Sequence, residues 1–179
     1  SMVEYFRNRY SADNTVVTLA GRLDFDAMTQ QIEATCGAWE RTDTVRQFPD
    51  VAVAEHRFAM ELDTIGRHYL LMLSPAPPMD DEERYAASML AQILGDQDGS
   101  RLYWALIETG LAEEAMAQYD GRDGVGEYLL YCSCSPEDAE EVEAIARREA
   151  AGLVASLTED DLVRNRSKIA TAATLQGEL

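Results

Sequence analysis

Gly99-Ser-Arg-Leu-Tyr-Trp-Ala-Leu-Ile-Glu-Thr-Gly-Leu-Ala112 is the stretch on which the reading of the fold turns. Ser100 stands where a hydroxyl can accept from the amides that open a helix. Leu102 and Leu106, with Tyr103 and Ile107 beside them, make an inward stripe at helical spacing, and Gly110 ends it. Just upstream, Asp80 with Glu83 forms an acidic variant of the capping box. It opens a second helix with stripe Ala86, Met89, Leu90, Ile93 and Leu94, which stops at Gly95. Two consecutive helices joined by residues 95–100 are therefore expected.

Working outward, strands come in pairs. Residues 57–62 and 67–73 read as two strands around Asp63-Thr-Ile-Gly66. The second, His68-Tyr-Leu-Leu-Met-Leu73, is nearly all apolar and reads as a central strand. Ser74-Pro-Ala-Pro-Pro78 is expected to stop it, because proline supplies no amide donor. Residues 112–119 and 127–134 read as strands around the turn Asp120-Gly-Arg-Asp-Gly-Val-Gly126, although Ala-Glu-Glu-Ala-Met-Ala also carries helix propensity. Ser135-Pro136 opens a long helix with stripe Val142, Ile145, Leu153 and Leu157. Thr158 and Asp161 form a capping box for a last helix, to about residue 173.

Toward the N-terminus, Thr15-Val-Val-Thr-Leu-Ala20 reads as a short strand ended by Gly21. Asp24 then caps a helix with Met28, Ile32, Thr35, Cys36 and Trp39 on one stripe. The order is β-α-linker-β-β-α-α-β-β-α-α. It predicts an α+β fold, a mixed or mostly antiparallel sheet with helices packed on one face. Residues 3–40 form a βα tail, 41–51 a linker holding Pro49, and 52–179 an α+β lobe. Ser1-Met2 reads as a tag scar, so a piece of a longer protein is expected.

The formal charge of −18 disfavours nucleic acid and anionic membrane surfaces and would attract basic peptides, with a well-hydrated surface as its plainer meaning. The sequence has no transmembrane run and no signal-peptide pattern. A soluble domain of the cytoplasm or periplasm is expected. Three cysteines give no disulfide framework. Cys132 and Cys134, two apart on a strand, share a face and read as buried thiols.

No active site is visible. His56 and His68 are the only histidines, and neither lies in a paired zinc-ligand motif, so no metal ligand is assigned in this chain. Gly121, Gly124 and Gly126 lie between strands rather than before a helix, which fits a hairpin and not a dinucleotide fingerprint. Glu137, Asp138, Glu140, Glu141 and Glu143 lack the glycine and alternation of a calcium loop.

Four ordered segments resemble the insulinase/pitrilysin-type zinc metallopeptidases. They are Arg9-Tyr-Ser-Ala-Asp-Asn-Thr-Val-Val-Thr-Leu-Ala-Gly21 with Gly37-Ala-Trp39, and Leu71-Met-Leu-Ser-Pro-Ala-Pro-Pro78. The third runs from Leu90-Ala-Gln-Ile-Leu-Gly95 through Ser100-Arg-Leu-Tyr103 to Gly110-Leu-Ala112, and the fourth is Ser135-Pro-Glu137. The resemblance spans residues 9 to about 170. It implies the non-catalytic lobe of a clamshell around peptide substrate, with the His-x-x-Glu-His zinc motif upstream or on a partner chain. No cofactor is then expected in this chain, zinc being implied for its parent or partner, and the chain alone is expected to be inactive. Implied partners are peptide substrate and a catalytic lobe or partner chain. A homodimer through the free edge of strand 15–20 is a further expectation.

The resemblance also points to Arg101, Tyr103, Glu108 and Glu113 as chamber-facing, substrate-binding candidates, against ordinary helix-end and surface roles. Active members of the family carry Arg-Glu-Lys and then Gly-Leu-Ala-Tyr here. This chain has Leu106-Ile-Glu-Thr-Gly110-Leu-Ala-Glu113, one residue shorter, with Ile107 near the Arg position and Glu113 in place of Tyr. Those departures favour a second reading, an inactive scaffold or partner subunit. An unrelated α+β domain is the third.

Overall fold

The computed structural model describes residues 1–43 and 53–177. The chain divides into two compact units, one within residues 1–49 and one within 50–179. Most of the expected linker, residues 44–51, lies outside the described residues.

The N-terminal unit holds α1 (Met2–Arg9), a single 3-10 turn (Ala12–Asn14) and α2 (Phe25–Cys36). Helix α1 had no counterpart in the expected order. Its capping box joins Ser1 to Glu4, and Arg7 and Arg9 complement the dipole in the last turn. Asp24 caps α2 as expected, its carboxylate accepting from the Ala27 amide at 3.0 Å. Residues 15–20 are not a strand. They leave the 3-10 turn with extended backbone but find no partner strand among the described residues of this unit, and a strand exists only as a ladder. Asp13 closes the unit instead, accepting from the Thr42 amide at 3.1 Å and the Asp43 amide at 2.8 Å.

The C-terminal unit holds β1 (His68–Ala76), α3 (Arg84–Gly95), β2 (Glu114–Arg122), β3 (Val125–Cys134), α4 (Ala139–Gly152) and α5 (Glu159–Gly177). The three strands form one antiparallel sheet in the order β1-β3-β2. An α+β fold with its helices against one face of an antiparallel sheet is thus the observed architecture. Three expectations fail in the sheet, and the expected Asp80–Glu83 capping box does not form: α3 opens after Glu83 with no side-chain cap, the Glu83 amide donating instead to Asp81 Oδ1 at 2.8 Å in a tight local turn. Residues 57–62 form no strand, for want of a ladder partner among the described residues. β1 is an edge strand rather than the central one, and it runs through Pro75. An edge tolerates proline where the missing N–H would face away from the neighbour.

Between α3 and β2, Ser100 caps a short helix as expected, its hydroxyl accepting from the Tyr103 amide at 3.1 Å. Residues Tyr103–Ile107 then widen into a π-turn. Gly95 does end α3, but for a reason of packing: a Cβ there would overlap the Ala117 amide nitrogen and Met116 carbonyl carbon on β2. The hairpin is tighter than the seven-residue turn expected. Arg122 pairs with Val125, and only Asp123 and Gly124 turn, Gly124 at φ +73°.

The core lies between the sheet and the helices. Leu102, Leu106, Cys132, Val142 and Ala146 are fully buried, joined by Ile93, Leu94, Ala115, Leu130, Cys134 and Leu153. The Thr158–Asp161 capping box forms as expected: Thr158 N donates to Asp161 Oδ2 at 3.1 Å and Asp161 N to Thr158 Oγ1 at 3.2 Å.

Candidate functional site

Strand parity divides the sheet into two faces. Leu130, Cys132 and Cys134 of β3 pack toward the helices, with Leu70 and Met72 of β1 and Ala115 and Ala117 of β2. The alternate residues lie in register on the other face. Tyr69 pairs with Ser133, Leu71 with Tyr131 and Leu73 with Leu129; Met116 also pairs with Tyr131 and Gln118 with Leu129. Tyr69 is 55% exposed, Leu71 and Leu73 57% each, and Met116 40%. The Tyr69 and Tyr131 rings stack with centroids 6.4 Å apart. This is a contiguous apolar patch on an open sheet face, the surface feature that marks a binding site more often than a chance exposure.

Carboxylates close the patch at both ends. Glu114 lies opposite Ser133 at one end, and Asp120 lies opposite Glu127 at the other. Arg122 donates to Asp120 Oδ2 from Nε at 3.0 Å and stands 3.9 Å from Glu127. Burial pushes the Tyr131 hydroxyl above its ordinary pKa, and its hydrogen bond with Glu114 adds to the shift.

The four residues chosen from the sequence separate into one pair and two anchors. Tyr103 O–H donates to Glu108 Oε2 at 3.2 Å. The π-turn brings the two together, the Glu108 amide donating to the Tyr103 carbonyl at 2.9 Å. That hydrogen bond, and then the Glu108 charge, raise the Tyr103 pKa. Arg101 is engaged elsewhere: Nη2 donates to Asp161 Oδ2 at 2.8 Å and to the Ser156 carbonyl at 3.1 Å, so it bolts α5 to the π-turn segment. Glu113 is ion-paired with Arg67. A polar cavity of about 110 Å³ beside Arg101 is spanned by a similar clasp, Lys168 Nζ donating to Asp96 at 2.9 Å and to the Asp98 carbonyl at 2.7 Å.

Sequence reasoning did not single out the open face. A run as uniformly apolar as 68–73 has no alternation to say which residues face out. The signal lay across the sheet: once Cys132 and Cys134 are assigned inward, Leu129, Tyr131 and Ser133 must face outward. The thiols do pack inward, and burial, followed by the charge of Cys134, pushes Cys132 up to about 12. That value leaves it an inert core group at neutral pH. Among the described residues no three His, Cys, Asp or Glu side chains are grouped to hold a metal ion. The described residues therefore make no zinc site. No helix is long and apolar enough to cross a membrane among the described residues.

The sequence of residues 1–169 matches the family described as the peptidase M16 inactive domain. The chain belongs to that family. Comparison with curated proteins gives no match. Among solved structures, a chain of complex III2 from Candida albicans superposes with a TM-score of 0.73 at 18% identity, covering 96% of this chain and 43% of its own length. A protease from Helicobacter pylori gives 0.73 at 14% identity, covering 97% and 44%. The peptidase M16 inactive domain from Pseudomonas fluorescens gives 0.56 at 20% identity, covering 60% and 27%. At these identities the structures share the fold. The M16 inactive-domain chain thus spans less than half the length of each, and it is a non-catalytic part of zinc-protease-like proteins.

Proposed function

We propose that this inactive domain is the lobe that encloses and binds peptide substrate, while zinc and its ligands belong to a further lobe or partner chain. In this reading residues 3–40 are the tail of the preceding lobe and residues 52–179 the body of this one. The observation that carries it is the open sheet face around Leu71, Tyr131 and Met116, apolar and solvent-accessible on a sheet whose opposite face is already covered. An extended peptide matches the strand rise of such a face, and a closing lobe would exclude water and position the chain for cleavage elsewhere. Tyr103 and Glu108 are paired on the segment that packs on the covered side of the sheet, so in this reading they would meet only a stretch of peptide that runs beyond the open face. Arg101 and Glu113 are held by Asp161 and Arg67 and are less free to engage a ligand.

Titration calorimetry with unstructured peptides tests the proposal, alongside metal analysis and a peptidase assay of the purified chain. Peptide binding that Leu71→Ser with Met116→Ser weakens, without hydrolysis, is the expected result. Stoichiometric zinc with peptidase activity lost on chelation would overturn it, as would peptide binding indifferent to that double change.

A scaffold role is the second reading. It is favoured by Ile107 near the position where the resemblance would put an Arg, and by Glu113 being held by Arg67. Its partner is a catalytic chain or, through the unpaired residues 15–20, a second copy. Sedimentation of the chain alone and with a catalytic partner separates these. As to compartment, a periplasmic protease of Escherichia coli shares the fold at 15% identity, and it favours the periplasm over the cytoplasm for this chain.

A further inference from the structure

We propose that the open face takes a particular class of peptide, a short apolar run bracketed by a basic residue at each end and lying along β3. This rests on the peptide-binding reading above and adds the chemistry of the ligand. The apolar belt of Tyr69, Leu71, Leu73, Met116, Leu129 and Tyr131 can hold many hydrophobic sequences and discriminates little among them. The selective groups are the carboxylates at its ends. Glu114 faces outward at the Ser133 end with no cation across from it in the strand register. At the hairpin end Arg122 engages Asp120 and reaches Glu127 at 3.9 Å, so one cation meets two carboxylates.

The two ends are six residues apart along β3, from Ser133 to Glu127, which is about 20 Å at the rise of a strand. An extended peptide has the same rise, so Lys or Arg residues about six positions apart would reach both ends with the apolar run between. Exposed ion pairs are individually weak. The belt therefore supplies the affinity and the carboxylates supply the choice, reinforced at long range by the net charge of −18.

The same charges argue against a second copy on this face. Two copies face to face would set Glu114, Asp120 and Glu127 of each against an equally acidic surface, a like-charge juxtaposition.

Fluorescence anisotropy on the purified chain tests the class with three labelled peptides sharing one apolar run, bracketed six positions apart by Lys, Ser or Glu. The Lys peptide is expected to bind about tenfold tighter than the Glu peptide at low salt, the gap closing as salt rises. Glu114→Gln with Glu127→Gln should bring the Lys peptide several-fold down toward the Ser peptide and leave the Ser peptide unchanged. Equal binding of all three peptides, or a preference that survives the double Gln change, overturns the basic class while the peptide-binding face stands. Binding untouched by Leu71→Ser with Met116→Ser overturns both. A dimer that this same pair of changes dissociates would show that the occupant is a second copy, and would also overturn the proposal. Circular dichroism and the urea midpoint of each variant confirm that it is folded.

Discussion

The two units of this chain are held by different forces. Among the described residues of the N-terminal unit the only buried side chain is Ser11; Val16, the most exposed of its hydrophobics, is 92% accessible. Its order comes from helix caps and from Asp13 gripping the Thr42 and Asp43 amides. The C-terminal unit has a buried cluster joining sheet, π-turn and helices. Helices of 8 and 12 residues are marginal by themselves in water, so local capping without apolar burial gives a loosely stabilised unit. The difference teaches that the same quality of local signal yields very different stability depending on whether a core forms behind it.

The sharpest way to break this comparison is to cut matched apolar side chains in the two units. Leu106→Ala, in the buried cluster, should cost about 2–5 kcal/mol, while Ile32→Ala, half-buried on α2, should cost about 1 kcal/mol or less. The only two tryptophans report the units separately, Trp39 in the first and Trp104 in the second, so urea unfolding of the W39F and W104F backgrounds reads each. Equal losses in both would erase the distinction.

Gly95→Ala comes next. The added methyl meets β2 backbone, which cannot swing aside, and a cost of about 1–3 kcal/mol is expected in the Trp104 signal with none in the Trp39 signal. Asp161→Ala removes the capping-box partner of Thr158 and the carboxylate that holds Arg101. About 1–2 kcal/mol should be lost, with α5 amides exchanging faster while β3 amides keep their protection.

Acid gives the smallest effect and sharpens the comparison from the other side. Asp13 titrates at about 2 instead of 3.8, chiefly because of the Ser11 hydroxyl and then the Thr42 amide. A folded pKa below the unfolded one means its contribution is full above pH 3.8 and fades as pH falls through about 2. Across that window the Thr42 and Asp43 amide resonances should move toward random-coil positions. Asp161 is also held low, first by the Thr158 hydroxyl, so the α5 cap should weaken in acid while the apolar cluster, which holds no carboxylate, persists.

Legibility in the sequence followed the range of the interaction. The caps at Asp24, Ser100 and Thr158, the end of the 100–110 helix and the inward face of Cys132 and Cys134 depend on residues a few positions apart, and all appear in the structure. Residues 15–20 and 57–62 have strand composition, yet a strand requires a partner that composition does not supply. The open face was hidden for a related reason. Leu70 and Leu71 are alike as residues, and only the register with β3 sends one to the core and the other to solvent. Tyr103 and Glu108 were named as separate candidates, and the π-turn that joins them has no signature in residue type.

What the sequence by itself determined is the family, the helix starts at Asp24, Ser100 and Thr158 and the parity of the thiol-bearing strand, because each is written in local chemistry or in ordered short segments. The tertiary structure alone decided that β1 lies at the sheet edge, that Gly95 marks a helix-to-strand contact, and that the apolar strand run is half core and half open surface. Those outcomes depend on which strand pairs with which across tens of residues, and pairing is a property of the folded chain rather than of any segment in it.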